Sequence, residues 1–417
     1  MLTHMERQSA SQKTIFVNRF FYPDHSATSQ ILTDLALDLA SSGVSVEVIT
    51  SRLRYDDPQA VLAPTDDVGG VRVHRIWTSR FGRAGLLGRA VDYLTFYASA
   101  AAKLGLLAGR STTVVIKTDP PMLALAAAPV AWLRGARWVN WLQDLFPEVA
   151  GALGVRLFSG PLMGLLLRLR NLTLRFAQAN VVLGERMAER LHGQPGGGQW
   201  AVTVIPNWAD AQAIKPVPHE ANRLRKAWGL ESLFVVGYSG NLGRAHEFNT
   251  FLAAAKLLHE RADVAFLFIG GGAQRASVAK AADELGLRNV RFQPYQPRNM
   301  LAYSLGVADV HLVSLNPALE GLIVPSKFYG IAAAGRPTLF VGDTAGEVPR
   351  VLEQAQCGYA FASGDAQGLA LAIAQLAGDP QRCQALGRNA RELLEQRYDR
   401  RHALAAWRQL LMSGRPE

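Results

Sequence analysis

From Thr14 onward, short runs of apolar and β-branched residues alternate with longer stretches whose apolar positions recur at helical spacing. Thr14–Phe20, Val44–Thr50, Val71–Ile76, Thr113–Lys117, Trp138–Leu142, Asn180–Leu183 and Val202–Ile205 read as strands. Helices are expected over Gln30–Ala40, within Ala84–Leu107, and over Met122–Leu133 and Leu162–Phe176. Strands this apolar, separated by helices, predict a largely parallel sheet covered on both faces. The rhythm stops at Pro206-Asn207-Trp208, and the Pro- and His-bearing segment Asp210–Glu220 reads as a linker. A second series follows, with strands at Leu233–Tyr238, Ala265–Ile269, Val290–Phe292, Val310–Leu315, Pro337–Val341 and Tyr359–Phe361. Its helices lie within Glu247–Glu260, Arg275–Leu285, Asn299–Leu305, Lys327–Ala334 and Gln367–Ala377. A last helical stretch, Asn389 to Leu411, bends near Arg397–Arg400.

The pattern divides the chain into a loose N-terminus (1–13), a first α/β domain (14–207), a linker (208–231), a second α/β domain (232–395) and a C-terminal helical segment (396–417). A length of 417 residues also favours two cores over one. Two open parallel sheets of similar size are expected to face each other across a cleft, with ligands outside the carboxyl ends of the strands.

Composition narrows the class. Hydrophobic residues make up 49% and charged residues 19%, as in an ordered globular chain. The longest uncharged apolar run, Pro120–Leu133, is too short to span a bilayer, and polar Met1–Lys13 does not read as a signal peptide. Two cysteines, Cys357 and Cys383, support neither a disulfide framework nor a cysteine zinc site, so a cytosolic chain is the simplest reading. The net charge of +10 implies polyanionic company. Nucleic acid is the weaker choice, because no zinc finger, RNP-like aromatic motif or dense basic tract occurs.

Several loops at strand ends could carry chemistry. Tyr238–Phe248 follows a strand and opens a helix; Gly240 and Gly243 admit a close ligand, and Ser239, Asn241, Arg244 and His246 offer polar groups for phosphate. Gly270-Gly271-Gly272 is either a second close-approach loop or a tight turn. Asn316–Lys327 leads into a helix at Pro325-Ser326-Lys327, where Ser326 is a plausible cap. A lysine in the first turn opposes the helix dipole unless an anion such as a diphosphate compensates. In the first domain Gln143-Asp144 ends a buried strand, where Asp144 could orient a hydroxyl or caps the next turn. Asp24, His25, Ser26 and Thr28 end the first strand similarly.

The dinucleotide fingerprint is missing after the first strand, and no P-loop, nucleophile elbow or H-E-x-x-H motif occurs. No metal-binding spacing is found. Arg156–Arg175 carries four arginines, no acid and the run Leu162-Met163-Gly164-Leu165-Leu166-Leu167. Gly85–Gly109 is similarly apolar, with Arg83, Arg89, Lys103 and Arg110 around it. Both read as helices that touch an anionic membrane surface while also covering the sheet.

As a set, Phe21-Tyr22-Pro23-Asp24, Gln143–Pro147, Ile205–Trp208, Tyr238–Phe248 and Pro325-Ser326-Lys327 leading to Ala333–Pro337 resemble the GT4 family of retaining GT-B glycosyltransferases. The similarity is strongest to the bacterial polysaccharide branch of colanic-acid and O-antigen fucosyl- or N-acetylfucosaminyltransferases. It implies a nucleotide sugar in the second domain, bound by Ser239, Gly240, Asn241, Gly243, Arg244, His246, Gly271, Pro294, Pro325, Ser326 and Lys327. It implies an acceptor near His25, Ser26, Thr28, Gln143 and Asp144 in the first domain, and a last helix that crosses back. The chain departs from the family pattern where Asn241 and His246 replace an arginine and a lysine, with Arg244 as a substitute. Glu320 fits the first of a spaced glutamate pair, but Phe328 or Gly330 replaces the second, and Gln143 replaces a histidine.

The expectation is metal-independent transfer of a hexose or deoxyhexose with retention. The donor would be a UDP-sugar, with a GDP-sugar as the alternative, and no cofactor would be tightly bound. The acceptor would be a polyprenyl-diphosphate-linked saccharide at the inner face of the cell membrane. Asp144, Glu320, Arg244 and Lys327 would carry the reaction. The rival readings are a UDP-sugar 2-epimerase and a noncatalytic nucleotide-sugar or polysaccharide-binding subunit.

Overall fold

The computed structural model describes residues 13–24, 26–54, 60–82, 85–155 and 160–412. By their contacts the residues form two compact units, Met1–Ile205 with Leu404–Glu417, and Pro206–Ala403.

The first unit holds an eight-stranded sheet. Its strands are β1 (Lys13–Val17), β2 (Ser45–Ser51), β3 (Thr65–Val68), β4 (Val71–Ile76), β5 (Thr112–Lys117), β6 (Arg137–Trp141), β7 (Ala179–Val182) and β8 (Val202–Val204). They lie in the order β3-β4-β2-β1-β5-β6-β7-β8, parallel except for β3 against β4. β3 was not legible in the sequence because Thr-Asp-Asp-Val is polar, a composition suited to an exposed edge. β1 pairs with β2 on one side and β5 on the other, so the topological switch point opens beyond Val17 and Lys117.

Helix α1 (Ala27–Ser41) follows β1, α2 (Leu86–Leu107) follows β4, α3 (Ala124–Leu133) follows β5, and α4 (Gly160–Arg175) precedes β7. α3 starts two residues later than the apolar run suggests, since Met122 has φ 62°, a left-handed value no helix accommodates. α2 packs beside α3, and α3 beside α4. Phe96, Ala100 and Leu104 of α2 join Ile15, Val17, Val114 and Ile116 in one core beneath this layer. Each fully buried aliphatic or aromatic side chain stabilises the unit by roughly 1.5–3 kcal/mol.

The second unit has six strands: β9 (Phe234–Ser239), β10 (Val264–Ile269), β11 (Val290–Gln293), β12 (Val310–Ser314), β13 (Thr338–Gly342) and β14 (Gly358–Ala362). All are parallel, in the order β11-β10-β9-β12-β13-β14. Its largest core gathers Tyr238, Phe251, Phe266 and Phe268 with the aliphatic faces of the central strands. The segment expected as a linker packs within this unit. Arg225 is buried and donates to the Val307 carbonyl at 2.7 Å and to Asp309 at 3.0 Å.

β9 matches β10 residue for residue as far as Ser239, yet it pairs with β12 only at Val236 and Gly237. Beyond that point the two central strands part, and the sheet presents a split at its carboxyl edge. Helices α5 (Asn249–Leu257), α6 (Lys327–Ala333) and α7 (Glu347–Ala355) begin on that edge, after β9, β12 and β13 respectively.

The C-terminal stretch breaks where the sequence suggested. A helix over Pro380–Leu393 passes through a π turn at Leu394–Tyr398, and α8 (Arg400–Met412) starts anew after extended Asp399. Trp407 of α8 is fully buried in the first unit, its ring centroid 4.6 Å from that of Trp141.

Candidate active site

The split in the second sheet leaves the carbonyl of Ser314, at the end of β12, without a partner from β9. His246 supplies it, with Nδ1 2.5 Å from the Ser314 oxygen. A carbonyl can only accept, so Nδ1 carries the ring proton and Nε2 presents a lone pair. Lys327 Nζ lies 2.8 Å from that lone pair and donates to it. Burial, then the nearby Lys327 charge, push the imidazole down to about 3, which keeps it neutral. Burial alone lowers Lys327 to about 8.

The lysine stem runs over the turn after β9. A Cβ on Gly240 would sit 3.0 Å from Lys327 Cε, and Gly240 has φ 126°. Nζ lies 5.3 Å from the centroid of the Tyr238 ring, whose hydroxyl donates to the Asn241 carbonyl at 2.9 Å. Gln274 ties down the far side of the turn, donating to the carbonyls of Gly243 at 2.7 Å and His246 at 3.1 Å. Ser314 Oγ accepts the Glu247 amide at 3.1 Å. Thus three chain segments meet at one half-buried cation.

Ser239, Gly240, Gly243, His246 and Lys327 are therefore brought together, with Asn241 and Arg244 exposed on the same turn. His246, expected as a phosphate donor, has its one ring proton committed to Ser314. Ser326 makes no side-chain cap, and α6 has seven residues, so the cation there is a side chain rather than a helix end. The glycine triplet serves backbone packing. A Cβ on Gly270 would fall 2.1 Å from the Gly240 oxygen, and one on Gly272 2.3 Å from Asn241 Oδ1. Gly271 accepts the Leu242 amide at 2.7 Å and lies under the Tyr295 ring; Pro294 beside it is exposed.

Glu320 turns to α7. Its Oε1 accepts the Glu347 amide at 2.9 Å, and its Oε2 would meet a Cβ on Gly346 at 2.5 Å. Phe328, which with Gly330 is one of the two candidates for the position of the absent second glutamate, is buried against Tyr329 and Tyr398. Pro325 is buried beside it.

In the first unit, the carboxyl edge of β5 and β6 gathers Thr28, Lys117, Thr118, Asp119 and Asp144. The Thr118 hydroxyl accepts the Gln143 amide at 3.0 Å. Burial raises Asp144 to about 6, helped by the Asp119 charge and opposed by the nearby Thr118 hydroxyl. Lys117 is buried; its Nζ donates to the Thr28 carbonyl at 2.9 Å, and burial lowers it to about 7. Thr28 Oγ1 reaches Asp119 at 3.4 Å. Ser26 precedes α1, and its amide donates to Asp24 Oδ1 at 2.8 Å. His25 lies outside the described residues. Lys117 and Ser314 were missed in the sequence. The signal for Lys117 was a charge closing an otherwise apolar strand, the same one that picked out Asp144.

Among the described residues no group of three His, Cys, Asp or Glu could hold a metal ion, and no helix is long and apolar enough to cross a membrane.

Two parallel α/β units, with loops at the carboxyl edge of each sheet, are the architecture of GT-B glycosyltransferases. WaaG, a glycosyltransferase involved in lipopolysaccharide biosynthesis, superposes with a TM-score of 0.70 at 15% identity, over 96% of this chain and 100% of that one. Anabaena HepE, solved in complex with UDP and glucose, does so with a TM-score of 0.70 at 18% identity, over 97% and 100%. Residues 27–208 match the glycosyl transferase 4-like domain and residues 220–393 match glycosyl transferases group 1. The "Probable glycosyltransferase WbjE" of Pseudomonas aeruginosa is 31% identical over 301 residues, 71% of this chain and 73% of its own length. The chain belongs to the GT4 family of glycosyltransferases.

Proposed function

We propose that this glycosyltransferase moves a hexose or deoxyhexose, with retention and without a metal, from a UDP-sugar to a polyprenyl-diphosphate-linked saccharide. The pathway is exopolysaccharide or O-antigen assembly in the fucosyl-type branch, on the inner face of the cell membrane. The observation that carries the reading is the half-buried Lys327 ammonium laid across the Gly240 turn at the split in the sheet. A cation held partly out of water gains most from a diphosphate that comes to it. HepE, whose fold the chain shares, was solved with UDP, which favours a uridine donor.

In the proposed reaction the bond between the sugar anomeric carbon and the diphosphate oxygen breaks, and its electron pair leaves with the diphosphate. Lys327, exposed Arg244 and the amides of Ser239, Asn241 and Gly243 stabilise that charge, since those of Gly240 and Leu242 are given to the Ile269 and Gly271 carbonyls. The acceptor hydroxyl attacks the same face, and its proton passes to the departing phosphate oxygen. Asp144 orients the acceptor, and Glu320 holds the start of α7 beside the donor sugar.

Membrane contact is supported by the outer surface of the α2, α3 and α4 layer. Leu87, Leu94, Leu106, Trp132, Leu133, Leu165 and Phe176 are each more than half exposed there, among exposed Arg134, Arg168 and Arg175. An apolar surface with a basic fringe suits anionic headgroups.

The test is a melting-shift screen of UDP-, GDP- and dTDP-sugars, followed by nucleotide release with lipid-linked acceptors in the presence of EDTA. Release that requires acceptor and survives EDTA supports the proposal. Binding without release would make the chain a noncatalytic subunit. Scrambling at C2 of the donor sugar without acceptor would make it an epimerase.

A further inference from the structure

The loop after β9 holds His246 where the family pattern has a lysine, and the geometry gives that histidine a different task. Nδ1–H is consumed by the Ser314 carbonyl at 2.5 Å, and Nε2 is consumed by Lys327 at 2.8 Å. Neither nitrogen has a proton to offer an incoming phosphate. The ring is also wedged between aromatic side chains, its centroid 6.1 Å from that of Tyr238 and 6.3 Å from that of Phe248. It cannot turn without vacating both bonds.

We propose that His246 is a positioning residue that never touches the donor: locked by Ser314, it acts as the acceptor that aims Lys327 at the Gly240 turn and keeps the ammonium charged there. This rests on the nucleotide-sugar reading above. Without the imidazole the lysine would face only the Tyr238 ring and the Gly240 backbone. Neither replaces a directed acceptor for a proton that burial already tends to remove. Tyr238 lies beneath Nζ, and burial, then the nearby Tyr295, hold its phenol well above its ordinary value. The Tyr238 phenol stays neutral across the assay range, so the pair's charge is set by Lys327. Since burial lowers Lys327 to about 8, affinity for a diphosphate should fall as pH rises through that value.

Two substitutions dissect the two bonds. His246→Asn keeps an N–H near Ser314 but cannot reach Lys327, whereas His246→Gln brings an amide oxygen to the Nε2 position. The probe is UDP, titrated calorimetrically between pH 6.5 and 9 with thermal unfolding of each variant alongside. The expected result is a loss of about ten-fold in UDP affinity for His246→Asn at pH 7, as for a lost hydrogen bond to a charged group. Its pH-dependent fall should begin lower than in the parent, and His246→Gln should restore most of both. In a Lys327→Met background His246→Asn should change affinity less than two-fold, because its effect runs through the lysine. An equal loss in both backgrounds, or a Gln variant as weak as the Asn variant with an unchanged pH midpoint, would overturn the assignment and make His246 a direct ligand. Failure of the parent chain to bind UDP, GDP or dTDP at all would instead remove the nucleotide-sugar reading underneath it.

Discussion

Lys117 Nζ lies 3.9 Å from the centroid of the Trp141 ring, in a place where its side chain is almost wholly out of water. The same indole meets Trp407 of α8, so one lysine links the start of α1, the end of β5 and the last helix of the first unit. Its proton is held less tightly in the fold than in the unfolded chain, because burial brings it to about 7 from an ordinary 10.5. Between those values the unfolded chain binds more protons, so this group makes stability rise with pH. Lys117→Met should remove that slope. The melting temperature of the variant relative to the parent should decline steadily from pH 7 to pH 9. Parallel curves for the two proteins would show that burial does not loosen the Lys117 proton.

Asp144 gives the opposite slope. Its folded value of about 6 lies above the ordinary 3.8, so the fold favours the protonated acid and loses stability as pH rises from 4 through 6. Asp144→Asn should therefore match the parent near pH 4 and exceed it at pH 7 by on the order of 2–3 kcal/mol in chemical denaturation. Under the proposed function the same variant should lose most sugar transfer while still binding UDP, since Asp144 serves the acceptor. A variant that is no more stable at pH 7 than at pH 4, relative to the parent, would refute the raised value.

How much of this could be read from the residues alone depends on distance along the chain. β9, β10 and β12 were legible because Val235, Val236, Phe266, Phe268 and Val310 are buried on both faces of a parallel sheet and need no partner to declare them. The turn at Gly240 was legible for a local reason, two glycines between a strand and a helix. The task of His246 was not, since its two partners lie 68 and 81 residues away. It exists only because β9 and β12 stop pairing at Gly237. The glycine triplet carried two readings in the sequence, and only the nearness of Gly270 to the Gly240 carbonyl explains its need for glycine.

That nearness is itself testable. Gly270 has φ 136°, and an added methyl would lie 2.1 Å from the Gly240 oxygen, so Gly270→Ala must move the turn on which Lys327 rests. Backbone strain of this kind costs on the order of 1–3 kcal/mol. Gly43→Ala is the control: its φ is 84°, but no atom lies within 4 Å of the new Cβ. Both variants should be destabilised in thermal unfolding, yet only Gly270→Ala should lose UDP affinity, by ten-fold or more. Equal UDP binding by the two would detach the Gly240 turn from the donor site.

The surface of α2, α3 and α4 makes a prediction independent of the donor site. Trp132 is 69% exposed and Leu165 52% exposed, although both lie on helices that bury other residues against the sheet. An apolar side chain left in water contributes nothing to the fold, so replacing it should leave stability within about 0.5 kcal/mol. A double change, Trp132→Ser with Leu165→Ser, should weaken binding to vesicles containing anionic lipid in a sedimentation assay while leaving the melting temperature and UDP affinity as they were. Replacing Arg168 and Arg175 by Gln should weaken vesicle binding mainly at low salt, where charge attraction is least screened. If the parent chain ignores anionic vesicles at low salt, or the Ser variant binds them as tightly as the parent, this surface does not meet a membrane and the acceptor must reach the enzyme from solution.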